Sequence, residues 1–213
     1  MPQRNTQARS HSYGVTWGLP REDGRSRRRV SLAVSGGRRI AAGILSICLL
    51  GAASCSRQGD AAGYVEKLAS DNPAVRDQAI MMIGSLQVEE AVPKLKTFLN
   101  ERWPTETRIL TVRALGQLGA TNTVDDVVQV FSTSDGPLKI AAAEALGKLA
   151  DLRAVPALVN ELSDTNVCLV AIWALGNIGD SNAVPGLVRV LSSSDKFTRY
   201  NARQALKRIG NRE

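Results

Sequence analysis

From Val65 to Ile209 the apolar residues of this chain recur at spacings of three and four. That is the period of a helix burying one face. The pattern is cut into short runs: Val124 to Phe131 predicts one helix and Leu138 to Leu149 the next. Start signals fall between the runs. Asn72-Pro73 predicts an N-cap and first helical position. Asp135, Asp164 and Asp195 stand at matching places before later helices, where a carboxylate accepts from free backbone N–H groups. Pro93, Pro156 and Pro185 fall in first turns, where proline breaks no intrahelical bond. Gly119 and Gly179 suit chain reversal after a helix.

These helix pairs repeat. Ala114-Leu115-Gly116-Gln117-Leu118 returns 31 residues later as Ala145-Leu146-Gly147-Lys148-Leu149. Ala174-Leu175-Gly176-Asn177-Ile178 follows after 29 more, and Ala205-Leu206-Lys207-Arg208-Ile209 after a further 31. A looser copy, Met82-Ile83-Gly84-Ser85-Leu86, lies 32 residues upstream of the first. A second phrase keeps step: Ala91-Val92-Pro93, Thr123-Val124-Asp125, Ala154-Val155-Pro156 and Ala183-Val184-Pro185. Two phrases locked to one period predict a repeat array. The expected fold is all-α, a right-handed α-α superhelix (solenoid) of about five helix pairs, from about Ala61 to Gly210. Glycine inside a helix costs roughly 1 kcal/mol against alanine. Gly84, Gly116, Gly147 and Gly176 recur at one place, which predicts close approach of a neighbouring helix. Ala114, Ala145, Ala174 and Ala205 fit the same contact. The first helix, near Tyr64 to Ala69, and the last, Thr198 to Ile209, read as caps that meet water.

Charge divides the chain. The net charge is +7, but residues 1–54 hold nine Arg, no Lys, and only Glu22 and Asp23 as acids. The remainder balances at 18 basic and 18 acidic side chains, so the array has no overall basic excess to attract nucleic acid. Residues 1–54 are expected to be a disordered basic extension followed, from about residue 30, by a signal peptide. Arg38-Arg39 precede the uncharged run Ile40 to Ala53, which is short for a span of about 20 apolar residues. Ala52-Ala53-Ser54-Cys55 resembles a bacterial lipobox. The resemblance implies that Cys55 receives diacylglycerol and becomes the first residue of the mature chain. An ordinary signal cut near Ala53, or an uncleaved anchor, is the alternative. The late leader has two explanations, a non-AUG start at Val30 or Leu32, or a loose twin-arginine pattern at Ser26-Arg27-Arg28-Arg29-Val30. Either way the protein is expected to be exported, as a lipoprotein of the cell membrane or outer membrane. Residues 55–62 read as a tether and 63–213 as the solenoid.

Arg76-Asp77-Gln78-Ala79, Leu146-Gly147 and Ala154-Val155-Pro156-Ala157-Leu158 resemble the short HEAT repeats of the phycobilin-lyase type. The resemblance implies a protein-binding scaffold. Two enzyme activities occur among such relatives. Deoxyhypusine hydroxylation needs His-Glu pairs holding two irons, and the only histidine, His11, lies outside the array. Chromophore attachment to phycobiliproteins, or chaperoning of that step, remains the alternative function, and an exported location argues against it.

Little in the array points to catalysis, and no cofactor or metal is expected. Cys168 has no histidine partner, so a Cys-His mechanism is unavailable. It stands in a column otherwise filled by Arg76, Arg108, Lys139 and Arg199. Those cations are expected to pair with an acid or a carbonyl of the adjacent unit, or else to meet an acidic partner. Glu89-Glu90 and Asp125-Asp126 are expected to serve helix starts. The candidate partner-binding surface is the concave face lined by the second helices. The residue before each Ala-Leu-Gly phrase, and the one three earlier, should project there. Met81 and Gln78, Arg113 and Leu110, Glu144 and Ala141, Trp173 and Val170, Gln204 and Asn201 are those positions. Trp173 is either a binding anchor or a residue that covers a neighbouring helix. A third possibility is a structural subunit that associates through its end caps.

Overall fold

The computed structural model describes residues 61–211. These residues form ten helices and no strand. The first helices of the five pairs are α1 (residues 61–67), α3 (Val92–Thr97), α5 (Val124–Thr133), α7 (Val155–Asn160) and α9 (Val184–Val190). The second helices are α2 (Pro73–Leu86), α4 (Thr105–Leu118), α6 (Gly136–Leu149), α8 (Cys168–Ile178) and α10 (Lys196–Gly210). The described residues are an all-α superhelix. Residues 61 and 62, expected in the tether, are already helical.

Each unit after the first enters its first helix through a 3-10 turn, at Glu89–Ala91, Thr121–Thr123, Leu152–Ala154 and Ser181–Ala183. The turn sinks a small residue into the core: Ala91, Thr123, Ala154 and Ala183 are fully buried. Thr123 can replace alanine because its hydroxyl donates to Ala120 O at 2.7 Å. Proline then occupies the first turn of α3, α7 and α9, as expected. The second helices α2, α4, α6 and α8 close on left-handed residues, which include Gly119 and Gly179.

The caps differ from expectation at two of four places. Asn72 accepts from Ala74 N, and Asp195 from Phe197 N and Thr198 N. Asp135 holds the N-cap position of α6 without a side-chain bond. Asp164 accepts from Asn166 N instead, because α8 begins only at Cys168.

Glycine and alanine set the stacking. A Cβ built on Gly116 would lie 2.9 Å from Ala145 Cα, one on Gly147 2.9 Å from Ala174 Cα, and one on Gly176 3.0 Å from Ala205 Cα. Gly84 meets Ala114 in the same way. The glycine of each phrase therefore receives the alanine of the next. The copy at Ala205 to Ile209 has Lys207 where the others have glycine, and Lys207 is exposed. Between these contacts Leu115, Leu146, Leu175 and Leu187 are fully buried, each worth ~1.5–3 kcal/mol against exposure.

Close approach confined to one layer has a geometric result. The second helices touch in an unbroken row from α2 to α10, while the first helices meet one another sparsely. The row of second helices is thus the inner side of the curve. The outer layer is joined by charge: Lys96 to Asp126 at 2.8 Å, and Arg153 to Asp125 at 2.6 Å. The acid pair at Asp125-Asp126 thus ties units together, beyond its place at a helix start.

Candidate functional site

The inner face is built by one side of each second helix, and its side chains reach across to the next helix. Arg113 Nε on α4 stands 4.0 Å from Glu144 on α6. Trp173 on α8 lies back over Gly147 on α6, close enough that a methyl there would sit 2.5 Å from its ring. Arg208 on α10 donates to Asn177 Oδ1 on α8 at 2.9 Å. At the N-terminal end Gln87 donates to Gln117 O at 2.9 Å, joining α2 to α4.

The expected surface residues divide into two groups. Gln78, Met81, Arg113 and Gln204 are exposed. Leu110, Glu144, Val170, Trp173 and Asn201 are half-buried, and Leu110, Val170 and Trp173 pack against the hydrophobic core. Ala141 does not line the face at all: it is fully buried, because α6 is pressed between α4 and α8. Trp173 covers a neighbouring helix and still keeps part of its ring in solvent. Cys55 lies outside the described residues.

The face has an apolar end that the sequence reading missed. Phe197 is 60% exposed and Tyr200 56%. Phe197 lies four residues before Asn201 and seven before Gln204, so it continues their row by one turn. Extending the periodicity past the expected start of the last helix at Thr198 finds it; α10 begins at Lys196.

The column of cations behaves differently from expectation. Arg76, Arg108 and Arg199 bond carbonyls of their own unit, not of the adjacent one. Of the four, Lys139 alone reaches an acid of the adjacent unit, Glu161 at 2.7 Å. Arg76 also lies 4.8 Å from the ring of Trp103. That tryptophan belongs to a longer turn after α3, pinned by its indole N–H to Thr97 O and by contact with Phe98.

Cys168 is buried, and burial first, then the carboxylates of Asp164 and Asp195, pushes its thiol pKa up. A thiol held protonated is a poor nucleophile. Among the described residues no group of three His, Cys, Asp or Glu side chains could hold a metal ion. None of the described helices is long and apolar enough to cross a membrane.

Comparison with known proteins places this geometry. A family model described as HEAT repeats matches residues 99–167 and 155–213. Among solved structures, the complex of CpcE and CpcF of phycocyanin lyase from Nostoc sp. PCC7120 is 24% identical, with a TM-score of 0.61 over 70% of this chain. The chain spans 64% of that protein's length. An engineered protein is 23% identical, with a TM-score of 0.57, covering 72% of this chain and 80% of its own. A designed armadillo repeat protein in complex with the peptide (KR)4 is 17% identical, with a TM-score of 0.53, covering 68% and 80%. At these identities the likeness is one of fold. No curated protein sequence matches the chain. The two family matches together run from residue 99 to 213, more than half of the 213 residues, and the chain belongs to the HEAT-repeat family.

Proposed function

We propose that this chain is a non-catalytic scaffold that holds a protein partner on the inner face of its second helices. It is anchored in the cell envelope by lipid at Cys55. The observation that carries the binding role is the composition of that face. Exposed Met81 at one end and Phe197 and Tyr200 at the other flank a polar middle of Arg113 and Glu144. Large apolar side chains left in water beside paired charges suit a protein surface with an apolar contact and a polar rim. The anchor rests on the lipobox-like Ala52-Ala53-Ser54-Cys55 after its uncharged run.

Affinity capture from detergent-solubilised membranes tests the binding role. Wild type is compared with Arg113→Glu combined with Met81→Ala, both exposed positions that leave the core intact. A partner lost in the double variant supports the reading; one retained at equal yield removes the inner face from it. Trp173→Ala is a less clean probe, since the ring covers Gly147 and truncation costs up to ~3–5 kcal/mol. Incorporation of radiolabelled palmitate, lost in Cys55→Ser, tests the anchor. Unlabelled wild-type protein overturns it.

A second reading is a chromophore-attaching enzyme or chaperone similar to phycocyanin lyase, favoured by the structural likeness to the CpcE and CpcF complex. It predicts bilin transfer to a phycocyanin chain, read by visible absorbance. The scaffold reading predicts none.

A further inference from the structure

One unit of the array lacks a part that the others have. Early in the second helix four units carry a cation, at Arg76, Arg108, Lys139 and Arg199, while the fourth carries Cys168. Three of those cations share one task. Arg76 Nη1 donates to Ser70 O at 3.2 Å, and Arg108 Nε to Leu99 O at 3.1 Å. Arg199 Nη1 donates to Ser193 O at 2.6 Å and Ser194 O at 2.8 Å. These carbonyls follow a first helix, where intrahelical donors run out.

Cys168 is too short for that task. By position its counterparts to Ser193 and Ser194 are Leu162 and Ser163. Among the described residues, no side chain donates to either carbonyl oxygen. The room that a long cation would fill is open. A cleft of about 780 Å³ lies there, against about 360 Å³ for the equivalent cleft that Arg108 lines. Val159, Leu162 and Val190 give the larger cleft an apolar lining, and Ser163, Ser192 and Thr198 a polar one. Its one basic lining residue, Arg189, is exposed. Burial first, then the carboxylates of Asp164 and Asp195, raises the pKa of the thiol. Asp195 lines the cleft and Asp164 follows Ser163 in the chain, so two carboxylates stand near the point where a cation is missing.

We propose that this cleft binds an arginine side chain of a partner protein, supplying in trans the guanidinium that three other units supply in cis. Arginine is preferred to lysine because the acceptors are adjacent carbonyls, which a planar fork can bond together. The cleft falls within the ~300–1,000 Å³ that binding sites occupy, so residues flanking the arginine enter with it. It lies where first helices hand over to second helices, so it stands independently of the inner face.

The test uses the detergent-solubilised full chain and a labelled, end-blocked Gly-Gly-Arg-Gly-Gly peptide. The control carries citrulline, which keeps the shape and removes the charge. Fluorescence anisotropy is expected to show saturable binding of the arginine peptide, about tenfold or more tighter than citrulline. Cys168→Arg should fold, since arginine fills this column elsewhere, and should lose the peptide; Cys168→Ser should keep it. A readout that needs no variant is alkylation of Cys168 by N-ethylmaleimide, followed at that residue by peptide mass mapping. The arginine peptide should slow it and the citrulline peptide should not. Equal affinity for the two peptides, undiminished binding by Cys168→Arg, or an unchanged alkylation rate overturns the proposal.

Discussion

Gly116 and Gly63 are both helical glycines, and they should respond to alanine in opposite directions. At Gly63 nothing lies within 4 Å of a new Cβ. Relief of the helix penalty should stabilise by up to ~1 kcal/mol. At Gly116 the new carbon meets Ala145 backbone at 2.9 Å, and overpacking of ~1–3 kcal/mol should outweigh that gain. Thermal melts of the two variants check the pair. This contact was legible in the sequence, because four glycines at one helical position have no local reason to exist. Ala141 was not legible. Its position in the row is that of Leu110 and Val170, and only the tightness of α6 between its neighbours buries it. Asp195 gives a pH prediction. The Thr198 hydroxyl first, then the Thr198 and Phe197 backbone N–H groups, holds its carboxyl below the usual range. A depressed carboxylate adds stability above its unfolded pKa and loses it as pH falls through the folded value. The contribution of Asp195 should be complete above about pH 4 and fade below. Asp195→Asn should lower the melting temperature at pH 7 and narrow its gap to wild type at pH 3.

At the scale of the helix, the end of the first helix is where this array departs from a simple periodic reading. The sequence reading sent the column cations across to adjacent units. Sequence position alone does not tell a side chain which way to turn, and the free carbonyls at the end of a helix are nearer than the next unit. Arg108 reaches Leu99 O nine residues back, whereas Arg76 and Arg199 reach back six, because Glu101 to Pro104 lengthen the turn. Arg108→Ala should therefore cost ~1.5–3 kcal/mol, the worth of a hydrogen bond to a charged group. Chemical denaturation measures it. The Asp164 cap failed for a related reason. The turn at 165–167 delays α8 until Cys168, so the carboxylate closes an Asx turn before the helix begins.

The molecule as a whole is a row whose stability is a sum over units and their interfaces. Among the described units, the inner ones have a neighbour on both sides and the outer two on one. Native-state hydrogen exchange should find the amides of α4 and α6 most protected, and those of α10 opening at lower free energy. Uniform protection across all units would contradict nearest-neighbour stacking. The architecture was readable because the repeated phrases are also the contact points. The partner-binding surface was readable only in outline, because the same helical period places a side chain on the face whether it ends in water or on a neighbour. The most direct test of the scaffold role is photo-crosslinking in intact cells. A benzophenone side chain is placed in turn at Arg113 and Gln204 on the inner face and at Lys94 on the outer helix α3. A discrete adduct from the two inner positions and none from Lys94 is the predicted result. Adducts from Lys94 alone, or equally from all three positions, would contradict it.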